Sequence, residues 1–197
     1  ACGIDAMVHA LEAYISTAAS PFSDAMAEKA LELIGANICR YTANRSDIEA
    51  AENMLVGSLF AGIAFSWARL GDVHAMSHPV SAFFNVPHGV ANAILLPTIV
   101  EYNALADHGK YFNIYNYIAP LPAALEEFTP DMLVDAIVEL NDSLGIPDGL
   151  EEVGVTKDKF DAMADDAMKS GNIAVNPRST TKKDVLALYE KAFSGLE

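Results

Sequence analysis

Apolar residues recur at three- and four-residue spacing along nearly all of this 197-residue chain, and strict apolar/polar alternation bounded by turn residues is scarce. That periodicity dictates helices and leaves almost no room for a sheet. It predicts helices over about 4–16, 24–41, 47–70, 73–84, 88–102, 108–118, 130–144, 157–169 and 181–193, the second capped by Ser23 and buried along Leu31, Ile34 and Ile38. The third is apolar on every face through Met54, Leu55, Leu59, Phe60, Ile63 and Phe65. Such a helix belongs at the centre of a domain, so Phe60, Phe65 and Trp67 are expected in the core. Pro79 and Pro97 are expected to start or kink their helices. No internal repeat or low-complexity linker divides the chain, so the expected fold is all-α, a single helical domain of about eight to nine helices over 1–197. No G-x-G-x-x-G turn and no P-loop occurs, so these residues carry no nucleotide-binding domain of their own.

Charge narrows the partners. Twelve Lys and Arg against 27 Asp and Glu give a formal net charge of −15, a field that repels phosphate backbones and anionic bilayers. Neither nucleic acid nor a membrane is an expected partner. No Asp, Glu, Lys or Arg lies between Asp72 and Glu101, yet histidines, prolines and asparagines break that window well short of the ~20 apolar residues a span needs. It reads as buried interior. Cys2 and Cys39 offer neither a disulfide framework nor zinc-ligand spacing, so they are expected to be packing thiols in a reducing cytoplasm. No secretory signal is visible at Ala1-Cys2-Gly3-Ile4-Asp5.

Three of the five histidines, His74, His78 and His88, crowd into that charge-free window. Asp5 and His9 stand four positions apart, which puts both side chains on one helix face. His74 and His78 repeat the spacing, and the turn at Pro87 can fold His88 back toward them. Singly, each pair reads as an ordinary helix-surface or interior hydrogen bond; jointly, they offer one carboxylate and several imidazoles to a divalent first-row metal, with iron(II), zinc and manganese all admissible. Glu12, one further turn along, is either a supporting acceptor for a ligand or a solvated surface carboxylate. His108, beside Gly109-Lys110, is expected to be an exposed helix-start residue.

The segments Gly3-Ile4-Asp5-Ala6-Met7-Val8-His9-Ala10-Leu11-Glu12, His74-Ala75-Met76-Ser77-His78-Pro79 and Pro87-His88-Gly89-Val90-Ala91-Asn92-Ala93 resemble the iron-containing, or group III, alcohol dehydrogenase family. They match its G-x-D-A-x-x-H-A-x-E, H-A-x-x-H-P and P-H-G-x-x-N-A motifs in order, and Asn176-Pro177-Arg178 with Thr181 resembles the family's C-terminal end. The resemblance implies a dehydroquinate synthase-like α-domain and places Asp5, His9, His74 and His88 on the family's metal ligands. It implies a role for His78 beside the substrate as a proton carrier, revising the spacing-based ligand reading. Phe65 and Leu70 fall at the nicotinamide and substrate pocket, and Asn172 where relatives often have a pocket Cys. Trp67, Arg69 and Ser81-Ala82 depart from the usual residues.

The implied activity is interconversion of a primary alcohol or diol and an aldehyde, with Fe2+ (or Zn2+) and NAD or NADP as cofactors. The implied assembly is a homodimer or larger homo-oligomer. The family's N-terminal dinucleotide-binding half has no counterpart here, so the chain is expected to be a fragment with little or no activity alone. Two other readings stand beside this one: a non-catalytic helical metal-binding or oligomerisation module, and a related zinc polyol dehydrogenase or dehydroquinate-synthase-like enzyme.

Overall fold

The computed structural model describes residues 1–196, and among them there is no strand. Among the described residues nine α-helices follow one another: α1 (Cys2–Ile15), α2 (Pro21–Ala43), α3 (Ile48–Ala68), α4 (Asp72–Phe84), α5 (His88–Asn103), α6 (Lys110–Ile118), α7 (Pro130–Ser143), α8 (Phe160–Ala167) and α9 (Lys182–Phe193). Short 3-10 turns join the later ones.

Local chemistry sets the boundaries. Helix α2 starts earlier than expected because Ser20, not Ser23, is its N-cap; Ser20 Oγ accepts from the Ser23 N–H, the Ser23 hydroxyl group answers the Ser20 N–H at 2.8 Å, and Pro21 fits the first turn. Asp47 caps α3 through the Ala50 N–H, and Thr181 with Asp184 caps α9. Gly109, with φ of +92°, delays α6 to Lys110, so His108 is exposed in the preceding loop. The expected helix over 157–169 is split, with a 3-10 turn at Lys157–Lys159 before α8. Helices α4 and α5 run through Pro79 and Pro97.

The central helices are α1 and α5. Ile4, Met7, Val8, Leu11 and Tyr14 of α1 are buried on several faces, and so is every residue of α5 from Ala91 to Val100. Helix α3, by contrast, lies at the periphery. Its inner stripe of Ala50, Met54, Gly57, Ala61, Ala64 and Ala68 seats on α1 and α2, so closely that a Cβ on Gly57 would stand 2.7 Å from Ile34 Cγ1. Its outer face leaves Ile48, Leu55, Leu59 and Trp67 exposed, which corrects the expectation of a central helix and of a core Trp67. Phe60 and Phe65 are partly buried against the core. By length and composition alone α3 is the one described helix apolar enough to cross a membrane. Cys2 and Cys39 are free and exposed rather than packed.

Candidate metal centre

Three helices meet at their polar positions: α1 brings Asp5 and His9, α4 brings His74 and His78, and α5 brings His88 and Asn92. Asp5 Oδ1 lies 3.6 Å from His74 Nε2, 3.7 Å from His88 Nε2 and 3.9 Å from His9 Nε2. The ligating atoms of Asp5, His74 and His88 all fall within 4.8 Å of one another. Two donors bound tetrahedrally at ~2.1 Å from one ion are about 3.4 Å apart, so these separations are close to a coordination sphere. His9 flanks the trio, its ring stacked on His74 at 4.6 Å between centroids.

Asn92 is fully buried and was assigned no role from the sequence. Its Nδ2 donates to Asp5 Oδ1 at 2.6 Å and stands 3.1 Å from both His74 Nε2 and His88 Nε2. Its own Oδ1 is buried without a partner. One carboxylate oxygen and two ring nitrogens thus converge on a single amide group, and a carboxylate with neutral imidazoles is the donor set a divalent first-row cation takes. The available signal was spacing: Asn92 is four residues from His88, hence on the same face.

Glu12 is the supporting acceptor and not a surface carboxylate. Only 2% exposed, it places Oε2 2.6 Å from His74 Nδ1 and accepts the Val73 N–H on Oε1 at 2.7 Å. In the neutral ring, a proton on Nδ1 toward Glu12 leaves His74 Nε2 as the lone pair facing the cluster.

Protonation follows from burial and charge. Burial works against a cationic His74, but the charges and hydrogen bonds of Glu12 and Asp5 outweigh it and raise its pKa to about 9. A cation at Nε2 therefore displaces a proton. Burial, reinforced by the charge on His74, lowers His9 to about 4, so its approach to Asp5 is not an ion pair at neutral pH. Burial also lowers His78 and His88. For Asp5 burial pulls upward, yet hydrogen bonding to His74, the charge of His9 and the Asn92 amide hold it near 2.

His78 sits on the solvent side, exposed, with its ring stacked 5.2 Å from that of His88 and beside a surface cavity of about 350 Å³ that also borders Lys169 and Ser170. Phe65 packs its ring 4.7 Å from His9. Leu70 is half-buried just beyond the end of α3. Asn172 is half-buried in a turn where its N–H donates to Ser170 Oγ, and among the described residues no hydrogen bond joins it to the cluster.

Residues 1–193 match the family described as the Fe-containing alcohol dehydrogenase family, C-terminal. The chain is 40% identical over 194 residues to the 1,3-propanediol dehydrogenase of Citrobacter freundii, covering 98% of this chain and 50% of that protein. It is equally identical, with the same coverage, to the lactaldehyde reductase of Escherichia coli K12. The chain spans about half the length of the curated relatives it matches. A crystal structure of a 1,3-propanediol oxidoreductase superposes with a TM-score of 0.92 at 38% identity, over 97% of this chain and 50% of the other. An alcohol dehydrogenase from Oenococcus oeni superposes at 0.91 with 33% identity, over the same shares. With three motifs, a helical fold and a converging carboxylate–imidazole set all in agreement, the chain belongs to the iron-containing alcohol dehydrogenases and corresponds to their C-terminal helical domain.

Proposed function

We propose that this chain is the metal-binding and substrate-holding domain of an alcohol dehydrogenase that interconverts a primary alcohol or diol and its aldehyde, with NAD or NADP as hydride partner. The observation that carries the reading is the gathering of Asp5, His74 and His88 donor atoms within 4.8 Å, with His9 stacked alongside. Asp5, His9, His74 and His88 would hold Fe2+, with Zn2+ the alternative. When bound, such an ion polarises an alcohol or carbonyl oxygen and lowers its proton affinity.

The chain's own groups do the rest. Asp5 supplies the one negative charge facing the ion, and Glu12 fixes the His74 tautomer from behind. His78, whose pKa burial lowers, accepts a proton from the alcohol hydroxyl and passes it to solvent at its exposed edge. Phe65 walls the cluster beside His9 and keeps water from that side, and Phe65 and Leu70 border the nicotinamide and the substrate. Asn172 lines the substrate pocket. The named relatives, a 1,3-propanediol dehydrogenase and a lactaldehyde reductase, favour a short diol or hydroxyaldehyde as substrate. Two free, exposed thiols fit a reducing cytoplasm.

The test is elemental analysis after oxygen-free purification, combined with NAD(P)H oxidation over a panel of aldehydes using the full-length protein. His78→Ala should keep the metal and lose about 10²-fold or more in turnover; loss of metal from that variant would make His78 a ligand. A second reading, a non-catalytic metal-binding and association module, is favoured by the exposed apolar face of α3 and predicts bound metal without turnover. The same face supports a homodimer or larger assembly.

A further inference from the structure

Helix α4 begins without a cap of its own, since Gly71 at its N-cap has no side chain to offer. Two remote residues take its first N–H groups instead. Glu12 Oε1 accepts from Val73, and Asn176 Oδ1 accepts from Asp72 at 3.2 Å. A Cβ on Gly71 would stand 2.9 Å from Asn176 Oδ1 and 3.0 Å from Glu12 Oε1, so glycine is what lets both acceptors close on this turn.

Asn176 is itself tied down on every side. Its Nδ2 donates to Asn103 Oδ1 and to the Arg178 carbonyl, both at 2.8 Å, while Asn103 Nδ2 donates back to Asn176 Oδ1 at 3.1 Å. The same strap reaches three helices. The Val175 carbonyl accepts the Thr17 N–H just past α1, Thr180 donates to Asp72 Oδ2 at the start of α4, and Arg178 donates to the Tyr102 carbonyl while stacking on its ring at the end of α5. These are the helices that carry Asp5 and His9, His74, and His88 respectively.

We propose that Asn176, acting with Gly71, is a positioning residue of the metal centre: through the shared first turn of α4 it sets Glu12, which in turn aims His74 Nε2. The inference rests on the metal-centre reading above. It gives the Asn176-Pro177-Arg178 segment a role in metal affinity that its distance from the ligands along the chain does not announce.

The experiment is titration of this chain with Co2+ alone, following both affinity and the visible d–d absorption. Asn176→Ala is expected to weaken Co2+ binding by roughly 10-fold and to shift the d–d band, within the range that loss of a ligand's supporting partner brings. Gly71→Ala should do the same by pushing Glu12 and Asn176 apart. In a Glu12→Gln background, adding Asn176→Ala should cost little further affinity, because the two act in series. Helical circular dichroism at the titration temperature checks that each variant is folded. Wild-type affinity and spectrum in both single variants overturn the proposal, as do losses that multiply in the double variant. Asp5→Ala serves as the control: if it too binds Co2+ as the wild type does, the metal-centre reading falls and this inference falls with it.

Discussion

The junction of α1, α4 and α5 and the outer face of α3 invert the usual distribution of polarity. At the junction, Glu12, Asp72, His74, Asn92, Asn103 and Asn176 are all buried. On α3, Ile48, Leu55, Leu59 and Trp67 are between 61% and 72% exposed. Folding alone would arrange these the other way, since a buried polar group without a partner costs about 1–3 kcal/mol. The junction tolerates its polarity because nearly every group there is hydrogen-bonded, the exceptions being Asp72 Oδ1 and Asn92 Oδ1. The α3 face has no such compensation inside the chain. One region departs from the folding rule with hydrogen bonds to compensate, the other with an exposed apolar face of the kind that marks association surfaces.

The sharpest way to break that contrast is to remove the charge at the junction. Asp5→Ala should lower metal affinity by more than the roughly 10–100-fold that loss of a supporting partner brings, since it deletes the one carboxylate facing the cluster. Elemental analysis after dialysis reads the effect, and full metal retention would remove Asp5 from the site. An ordinary core position should respond in a different currency. Leu31, fully buried on α2 and remote from the ligands in sequence, should lose about 2–5 kcal/mol of unfolding free energy when cut to Ala, with metal affinity of the folded protein unchanged. Denaturant titration separates the two. A helix end should respond less than either: Ser20→Ala should cost about 1 kcal/mol by orphaning the Ser23 N–H at the start of α2.

The all-α class and the order of the helices were legible because 3.6-residue periodicity is a local property that survives any tertiary arrangement. Boundaries were less so. Ser20 and Ser23 are both competent caps, and only the reciprocal bond between them selects Ser20. The meeting of Asp5, His9, His74 and His88 was legible from motif and spacing, whereas Asn92 and Asn176 were not assigned roles, because an amide acquires a role only from what the fold brings to it. Helix α3 misled for a related reason. Its apolar residues surround the helix, so periodicity could not say which of them the core would cover. Small residues, Gly57, Ala61, Ala64 and Ala68, won the inner face because they permit closer approach to α1 and α2, and the bulkier Leu55, Leu59 and Trp67 were left outside.

That outcome makes the smallest expected effect the most discriminating. Leu59 is 61% exposed, so Leu59→Gln removes little buried area within the chain and should change unfolding free energy by less than about 0.5 kcal/mol in dilute solution. The same substitution should weaken self-association if the α3 face is where copies meet. The two readouts are separable because oligomer stability depends on protein concentration and monomer stability does not. A loss of ~2 kcal/mol or more that persists on dilution would mean that Leu59 is packed within the chain after all, and the contrast between a polar interior and an apolar exterior would fail at that residue. A loss that appears only at high concentration would instead locate the missing cover in a second copy of this chain, and would leave the junction of α1, α4 and α5 untouched.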